Sequence, residues 1–257
     1  MRVLITKPEW NKFYYYRPQK FLQKRIKSEP FERETEKVHY CLDQLKSNYF
    51  IPHTQYSVDK FLEFRELVHR NFYIIWTAIN PPMEHLLYAI SEIVQPKTIL
   101  GLGVFTGNPV TWSFGPAIMH SYKADHLKAV ELELKHAQKG QENFDKITTD
   151  PHVEFNCENG FDTIPKYPES SIDLLYLDAN GYDPTTQHSS KNINYSFLAA
   201  SYSKLKSGSI ILCHNAYQPS FRKEAKMYLE FTANDQYFTR TATIGIDEMG
   251  LEFTIKK

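Results

Sequence analysis

The chain has 257 residues, 42% of them hydrophobic, enough for one large core with or without an accessory region. Lys and Arg (30) balance Asp and Glu (30), and the pI is about 7.1, so no global basic field argues for a nucleic-acid partner. No apolar run approaches the roughly 20 residues that span a bilayer, and the apolar opening Met1–Thr6 is broken by Lys7 and Glu9, which argues against a signal peptide. Three widely spaced cysteines, Cys41, Cys157 and Cys213, form no CxxC pair and suit a reducing compartment; the expectation is a soluble, cytoplasmic protein.

Residues 1–85 lack strand–turn–helix alternation. Glu34–Lys46 and Val58–Trp76 are predicted helices, the second carrying Phe61, Phe64, Leu67, Val68 and Phe72 at helical spacing. Asn80-Pro81-Pro82 reads as a break, and Met83–Val94 as a third helix. From Lys97 strands and helices alternate, which predicts a mostly parallel sheet covered on both faces. The predicted strands are Thr98–Leu102, Leu127–Leu132, Val153–Asn156, Ile172–Leu177 and Ser209–Cys213. The helices between and after them are Pro109–His120, Lys135–Lys146, Ile193–Leu205 (stopped by Ser207-Gly208) and Phe221–Phe231. Thr239–Ile244 and Leu251–Ile255 close the sheet as an antiparallel hairpin, for seven strands in all. The domain reading is therefore an N-terminal helical extension (1–85) and an α/β, Rossmann-like domain (86–257).

In such a sheet ligands sit outside the carboxyl ends of the strands. Those ends read, in order, a glycine-rich turn Gly101-Leu102-Gly103-Val104-Phe105-Thr106-Gly107, Glu131, Cys157-Glu158-Asn159, Asp178 and His214-Asn215. Glycines at a strand–helix turn admit positive φ and close approach of a ligand to the backbone. A carboxylate closing the second strand, Glu131 with Glu133 as its competitor, can take both ribose hydroxyls of an adenosine cofactor. The spacing GxGxxxG, with the acid later than about 20 residues on, disfavours a dinucleotide site and an NAD(P)-dependent oxidoreductase.

From about Trp76 to Lys257, GVFTG, AVELE, IDLLYLDA and LKSGSIILCHN occur in order. Together they resemble the S-adenosylmethionine-dependent small-molecule O-methyltransferases, which include the catechol and caffeoyl-CoA enzymes. The resemblance implies a Rossmann-like methyltransferase fold and S-adenosyl-L-methionine as cofactor. It implies that the backbone at Gly103 and Gly107 approaches the cofactor's methionine end, that Gly101, Phe105 and Thr106 also border the cofactor, that Glu131 holds the ribose, and that Glu158 and Asn159 lie beside the adenine. Asp178, which also borders the cofactor, matches a metal-ligating aspartate, and His214 with Asn215 matches an Asp–Asn pair completing a divalent-metal site.

Three departures stand out. Gly101 replaces an acid, His214 replaces an aspartate, and the stretch Ala179–Asp183 lacks the lysine base of catechol-type enzymes. Imidazole suits Mn, Fe or Zn better than Mg. His214 therefore joins Asp178 and Asn215 around a metal, acts as the catalytic base beside Asp178, or is a structural histidine. The polar loop Asn180–Asn194 is a candidate lid, and Trp76, Trp112, Tyr182 and Tyr217 are candidate pocket walls. The acceptor is expected to be a small molecule, possessing an oxygen, nitrogen or carbon nucleophile. Non-catalytic cofactor binding is the alternative; a homodimer stays open, and residues 1–45 are free to cap the active site, exchange between subunits or bind a partner.

Overall fold

The computed structural model describes residues 2–12, 30–74, 79–215, 217 and 219–257. Trp76 and the basic residues Arg17, Lys20, Lys24, Arg25 and Lys27 lie outside them. The elements are β1 (Arg2–Ile5), α1 (Phe31–Ser47), α2 (Val58–Asn71), α3 (Pro81–Val94), β2 (Thr98–Leu102), α4 (Asn108–Ile118), β3 (His126–Glu131), α5 (Leu134–Phe144), β4 (Val153–Cys157), α6 (Gly160–Thr163) and β5 (Ile172–Leu177). They continue with β6 (Gly181–Asp183), β7 (His188–Ser190), α7 (Ile193–Ser201), β8 (Leu205–His214), α8 (Pro219–Glu224), α9 (Lys226–Thr232), β9 (Phe238–Ile244) and β10 (Leu251–Lys256).

Eight strands form one sheet in the order β1-β9-β10-β8-β5-β2-β3-β4. Among them β10 alone runs antiparallel to its neighbours. The expected closing hairpin is present, but it is not the edge. β1 pairs in parallel with β9, Arg2 opposite Thr241 through Ile5 opposite Ile244, and adds an eighth strand to the seven predicted. Apolar residues of alternate parity face opposite sides of the strands. Ile99, Tyr176, Leu212 and Phe253 pack under α1–α4. Leu100, Leu175, Leu177 and Ile211 pack under α7 and α9. The molecule is thus three layers deep, and α1–α3 belong to one of the two cores.

Several boundaries differ from the sequence expectation for identifiable reasons. Pro81 and Pro82 start α3 instead of breaking the chain, because the first helical positions need no N–H partner. α2 ends at Asn71, and Phe72 is already extended although it continues the apolar spacing. α7 stops at Ser201, and Gly208, read as a helix stop, lies inside β8 with φ +81°. There the pairing jumps from Ile172–Leu205 to Leu174–Ile210, an irregularity that a left-handed glycine accommodates. The last predicted helix is two, α8 and α9, divided at Ala225. Among the described residues no helix is long and apolar enough to cross a membrane.

Candidate active site

β2 ends in the glycine turn, and the neighbouring strand ends are tied to it. Gly103 N donates to Val130 O (3.0 Å), and Asp178 N donates to Leu102 O (3.2 Å). Gly103 (φ +67°), Phe105 (φ +55°) and Gly107 (φ +83°) are all left-handed. A Cβ on Gly103 would lie 2.4 Å from Ala179 Cβ, so this glycine is required by contact with the end of β5 as well as by its φ. Gly107 precedes α4 and would collide with the Phe144 and Phe155 rings if it carried a Cβ. Gly101 lies within β2, and a Cβ there would meet Val110 Cγ2 at 2.8 Å. Val110 and Val104 thus crowd the space into which an acid at that position would grow.

Glu131 ends β3 facing this turn: Oε2 accepts from Phe105 N (2.8 Å) and Oε1 from Glu133 N (3.1 Å). Glu133, its competitor, pairs instead with His136 at 3.2 Å. Thr106 and Asn108 are buried, and Thr106 Oγ1 and both polar atoms of the Asn108 side chain have no hydrogen-bond partner among the described residues. Asn108 opens α4, where amide groups and the helix dipole favour an anionic ligand group.

At the end of β4, Glu158 N donates to Glu131 O (3.2 Å), which places the two strand ends side by side. The Glu158 carboxylate accepts from Lys128 Nζ (2.9 Å), Lys166 Nζ (2.9 Å), Thr163 Oγ1 (2.7 Å) and Asn156 Nδ2 (3.3 Å). Burial works against its ionisation, but the bonds from Lys166, Lys128 and Thr163 outweigh that and hold its pKa at about 2. Asn159 caps α6, accepting from Phe161 N at 3.0 Å.

Asp178 and His214 follow adjacent parallel strands, and the structure brings them together, with His214 Nδ1 3.2 Å from Asp178 Oδ2. The other oxygen, Oδ1, accepts from Lys191 Nζ at 2.8 Å, and Lys191 also donates to the Asp178 carbonyl at 3.1 Å. Burial works to raise the Asp178 pKa, but Lys191 and His214 prevail and bring it to about 2. His214 Nε2 is buried with no hydrogen-bond partner among the described residues. Asn215 follows at φ +68°, half-buried. Tyr176, two residues before Asp178, has a buried hydroxyl without a partner among the described residues; burial first, then Asp178, keeps the phenol protonated far above neutrality.

Lys191 is a neighbour of Asp178 that sequence spacing does not point to. It stands 13 residues beyond Asp178. The predicted lid loop folds as the hairpin β6/β7, pinned to α7 by Asp183, which accepts from Ser196 Oγ (2.6 Å) and Thr186 Oγ1 (2.8 Å). Asn194 grips both polar groups of the Ala179 backbone, at 3.0 Å each, and returns the chain to Asp178. Among the pocket-wall candidates, Trp112 is fully buried against Phe61 and Phe64, Tyr182 is exposed on β6, and Tyr217 packs against Gly250 and Gly245 beside the β9–β10 turn.

A divalent cation fits this donor set poorly. One Asp178 oxygen holds an ammonium, and the other faces His214 Nδ1. Among the described residues no group of three or more His, Cys, Asp or Glu is arranged to hold a metal ion. A separate cavity of about 520 Å³ opens between Ala117, His120, Leu127 and Val153, and none of the predicted site residues line it.

No protein-family profile matches the chain, and no curated protein matches its sequence. Solved structures do match. An O-methyltransferase from Streptomyces achromogenes, involved in tomaymycin synthesis and in complex with S-adenosylmethionine, aligns at 16% identity and TM-score 0.56, over 86% of this chain and 98% of its own. A methyltransferase from Podospora anserina bound to S-adenosylhomocysteine aligns at 16% identity and TM-score 0.57, over 89% and 98%. A tRNA (m1A58) methyltransferase from Aquifex aeolicus aligns at 14% identity and TM-score 0.52, over 76% of each chain. The chain has the Rossmann-like fold of S-adenosylmethionine-dependent methyltransferases.

Proposed function

We propose that the chain is an S-adenosylmethionine-dependent methyltransferase that transfers a methyl group to the oxygen of a small-molecule acceptor. The observation that carries the reading is the Asp178–His214 pair at the ends of β5 and β8, beside the glycine turn that Glu131 faces. The cofactor, when bound, supplies an electrophilic methyl on sulfonium. In this reading the backbone of Gly103–Gly107 borders its methionine end, Asn108 takes the carboxylate and Glu131 exchanges its bond to Phe105 N for the ribose hydroxyls.

The chain's own chemistry is orientation and proton removal. His214 with Nδ1 toward Asp178 offers Nε2 to the acceptor hydroxyl. As the oxygen–carbon bond forms and the carbon–sulfur bond breaks, the hydroxyl proton passes to Nε2, and Asp178 stabilises the imidazolium. The balanced charge of the chain favours a small molecule over a nucleic acid, although the fold also serves a tRNA enzyme. Three free thiols suit a reducing, cytoplasmic setting.

Calorimetry with S-adenosylhomocysteine and with NAD, followed by methyl transfer to a panel of phenols, alcohols and amines, tests the reading. Micromolar binding of S-adenosylhomocysteine with O-methylated product is expected. Binding of NAD alone overturns it. Cofactor binding without transfer to any acceptor favours the non-catalytic alternative, and amine products move the acceptor atom to nitrogen.

A further inference from the structure

Lys191 is a buried cation delivered to the strand rim by a dedicated piece of chain. Its side chain is 6% exposed, and its ammonium touches both the carboxylate and the carbonyl of Asp178. Its own carbonyl accepts from Asn194 Nδ2 at 3.1 Å, and the following Asn192 accepts from Met227 N at 3.2 Å, so the segment is braced against α7 and α9. A buried ammonium persists only with an opposite charge beside it, and Asp178 supplies that charge. A divalent cation ligated by Asp178 would sit about 2–2.6 Å from a carboxylate oxygen. That position crowds it against the Lys191 ammonium. His214 could not join it through Nδ1 without giving up Asp178.

We propose that Lys191 takes the place of a divalent cation at this rim: its ammonium neutralises and orients Asp178, Asp178 fixes His214 with Nδ1 protonated and Nε2 unprotonated, and the site works without a metal. Lys191 is thus a positioning residue, acting on the acceptor only through Asp178 and His214. The inference rests on the methyltransferase reading for what Nε2 does, but not for how the three side chains are arranged.

The full chain, as wild type, Lys191→Arg, Lys191→Met and Asp178→Asn, is dialysed against EDTA and examined three ways. Electron paramagnetic resonance follows added Mn2+, calorimetry follows S-adenosylhomocysteine, and 15N NMR of the ring nitrogens reports the His214 tautomer. The expected result is no saturable Mn2+ site in the wild type up to millimolar Mn2+, and S-adenosylhomocysteine affinity that changes less than twofold on chelation. The His214 tautomer is expected to be Nδ1–H in the wild type and in Lys191→Arg, which keeps a cation, and mixed in Lys191→Met. Saturable Mn2+ binding that Asp178→Asn abolishes overturns the proposal, as does an Nε2–H tautomer in the wild type. Should Lys191→Met fail to fold, the wild-type Mn2+ and tautomer measurements still decide. Failure of S-adenosylhomocysteine to bind overturns the methyltransferase reading and leaves those two measurements to judge Lys191 separately.

Discussion

Lys191 Nζ lies 2.8 Å from Asp178 Oδ1, with the two side chains only 6% and 14% exposed. Removing the lysine leaves a buried carboxylate with His214 as its remaining side-chain partner. Breaking a buried pair from one side costs about 3–5 kcal/mol. Lys191→Met is therefore expected to lower unfolding free energy by about that amount, and Lys191→Met with Asp178→Asn to cost less than the sum of the two single changes. Urea denaturation of the four proteins in the cycle measures the coupling.

His214 carries the proton in the proposed reaction. His214→Ala is expected to reduce turnover by about 10²–10⁴-fold, the usual contribution of a positioned acid–base group, while S-adenosylhomocysteine affinity stays within a few-fold. Steady-state kinetics with calorimetry on the same preparation separates the two effects. An equal fall in affinity and turnover would show His214 to be a binding residue.

A Cβ at Gly101 would meet Val110 Cγ2 at 2.8 Å and Val104 Cγ1 at 3.1 Å. Replacing it by Asp, to imitate relatives with an acid there, is expected to destabilise the chain by at least the about 1–3 kcal/mol of overpacking without improving cofactor affinity. Val110→Ala in the same chain opens the space and should recover part of that loss. Thermal or urea unfolding with and without S-adenosylhomocysteine reads both effects.

The strands of the sheet centre were legible because each is an apolar run bounded by turn residues: Thr98–Leu102 and Ile172–Leu177 are found as predicted. The strand ends then pointed to Glu131, Asp178 and His214 through the general placement of ligands in open sheets. β1 was not legible, since a four-residue strand without local partners gains its identity only from β9, more than 200 residues away. Lys191 was hidden for a similar reason. Its approach to Asp178 depends on the β6/β7 hairpin and the Asn194 clamp, neither of which leaves a spacing pattern. The α2 end was overrun because Phe72 keeps the apolar spacing while packing against Phe144 from an extended backbone.

Glu158 gives a pH signature at the β4 end. Its carboxylate, held at about 2 by Lys166, Lys128 and Thr163 against the opposing effect of burial, binds its proton less readily folded than unfolded. The stability it contributes is fully present above the unfolded value of 4.5 and is lost as pH falls toward 2. Glu158→Gln should flatten the acid limb of the stability curve between these limits and leave the slope above pH 6 unchanged. Urea midpoints collected from pH 7 down to 2.5 test this.

The buried Glu252 of β10 ties the first strand to the sheet. Its Oε1 lies 2.8 Å from Arg2 Nε, its Oε2 accepts from Thr243 Oγ1 at 2.7 Å, and its side chain has no exposure. Burial pushes its pKa above the usual carboxylate value, and Arg2 offsets only part of that rise. Arg2 Nη2 also donates to Leu229 O (2.7 Å) and Thr232 Oγ1 (2.9 Å), joining β1 to α9. Arg2→Ala is expected to cost about 3–5 kcal/mol, as for any one-sided break of a buried pair. It should also release β1, which hydrogen exchange would register as lost protection at Val3–Ile5 and at the facing edge of β9. Glu252→Gln beside Arg2→Ala removes the stranded charge, and should restore part of the stability while β1 stays unprotected. Full protection of β1 in Arg2→Ala would show that the backbone pairing with β9, rather than the ion pair, holds the strand.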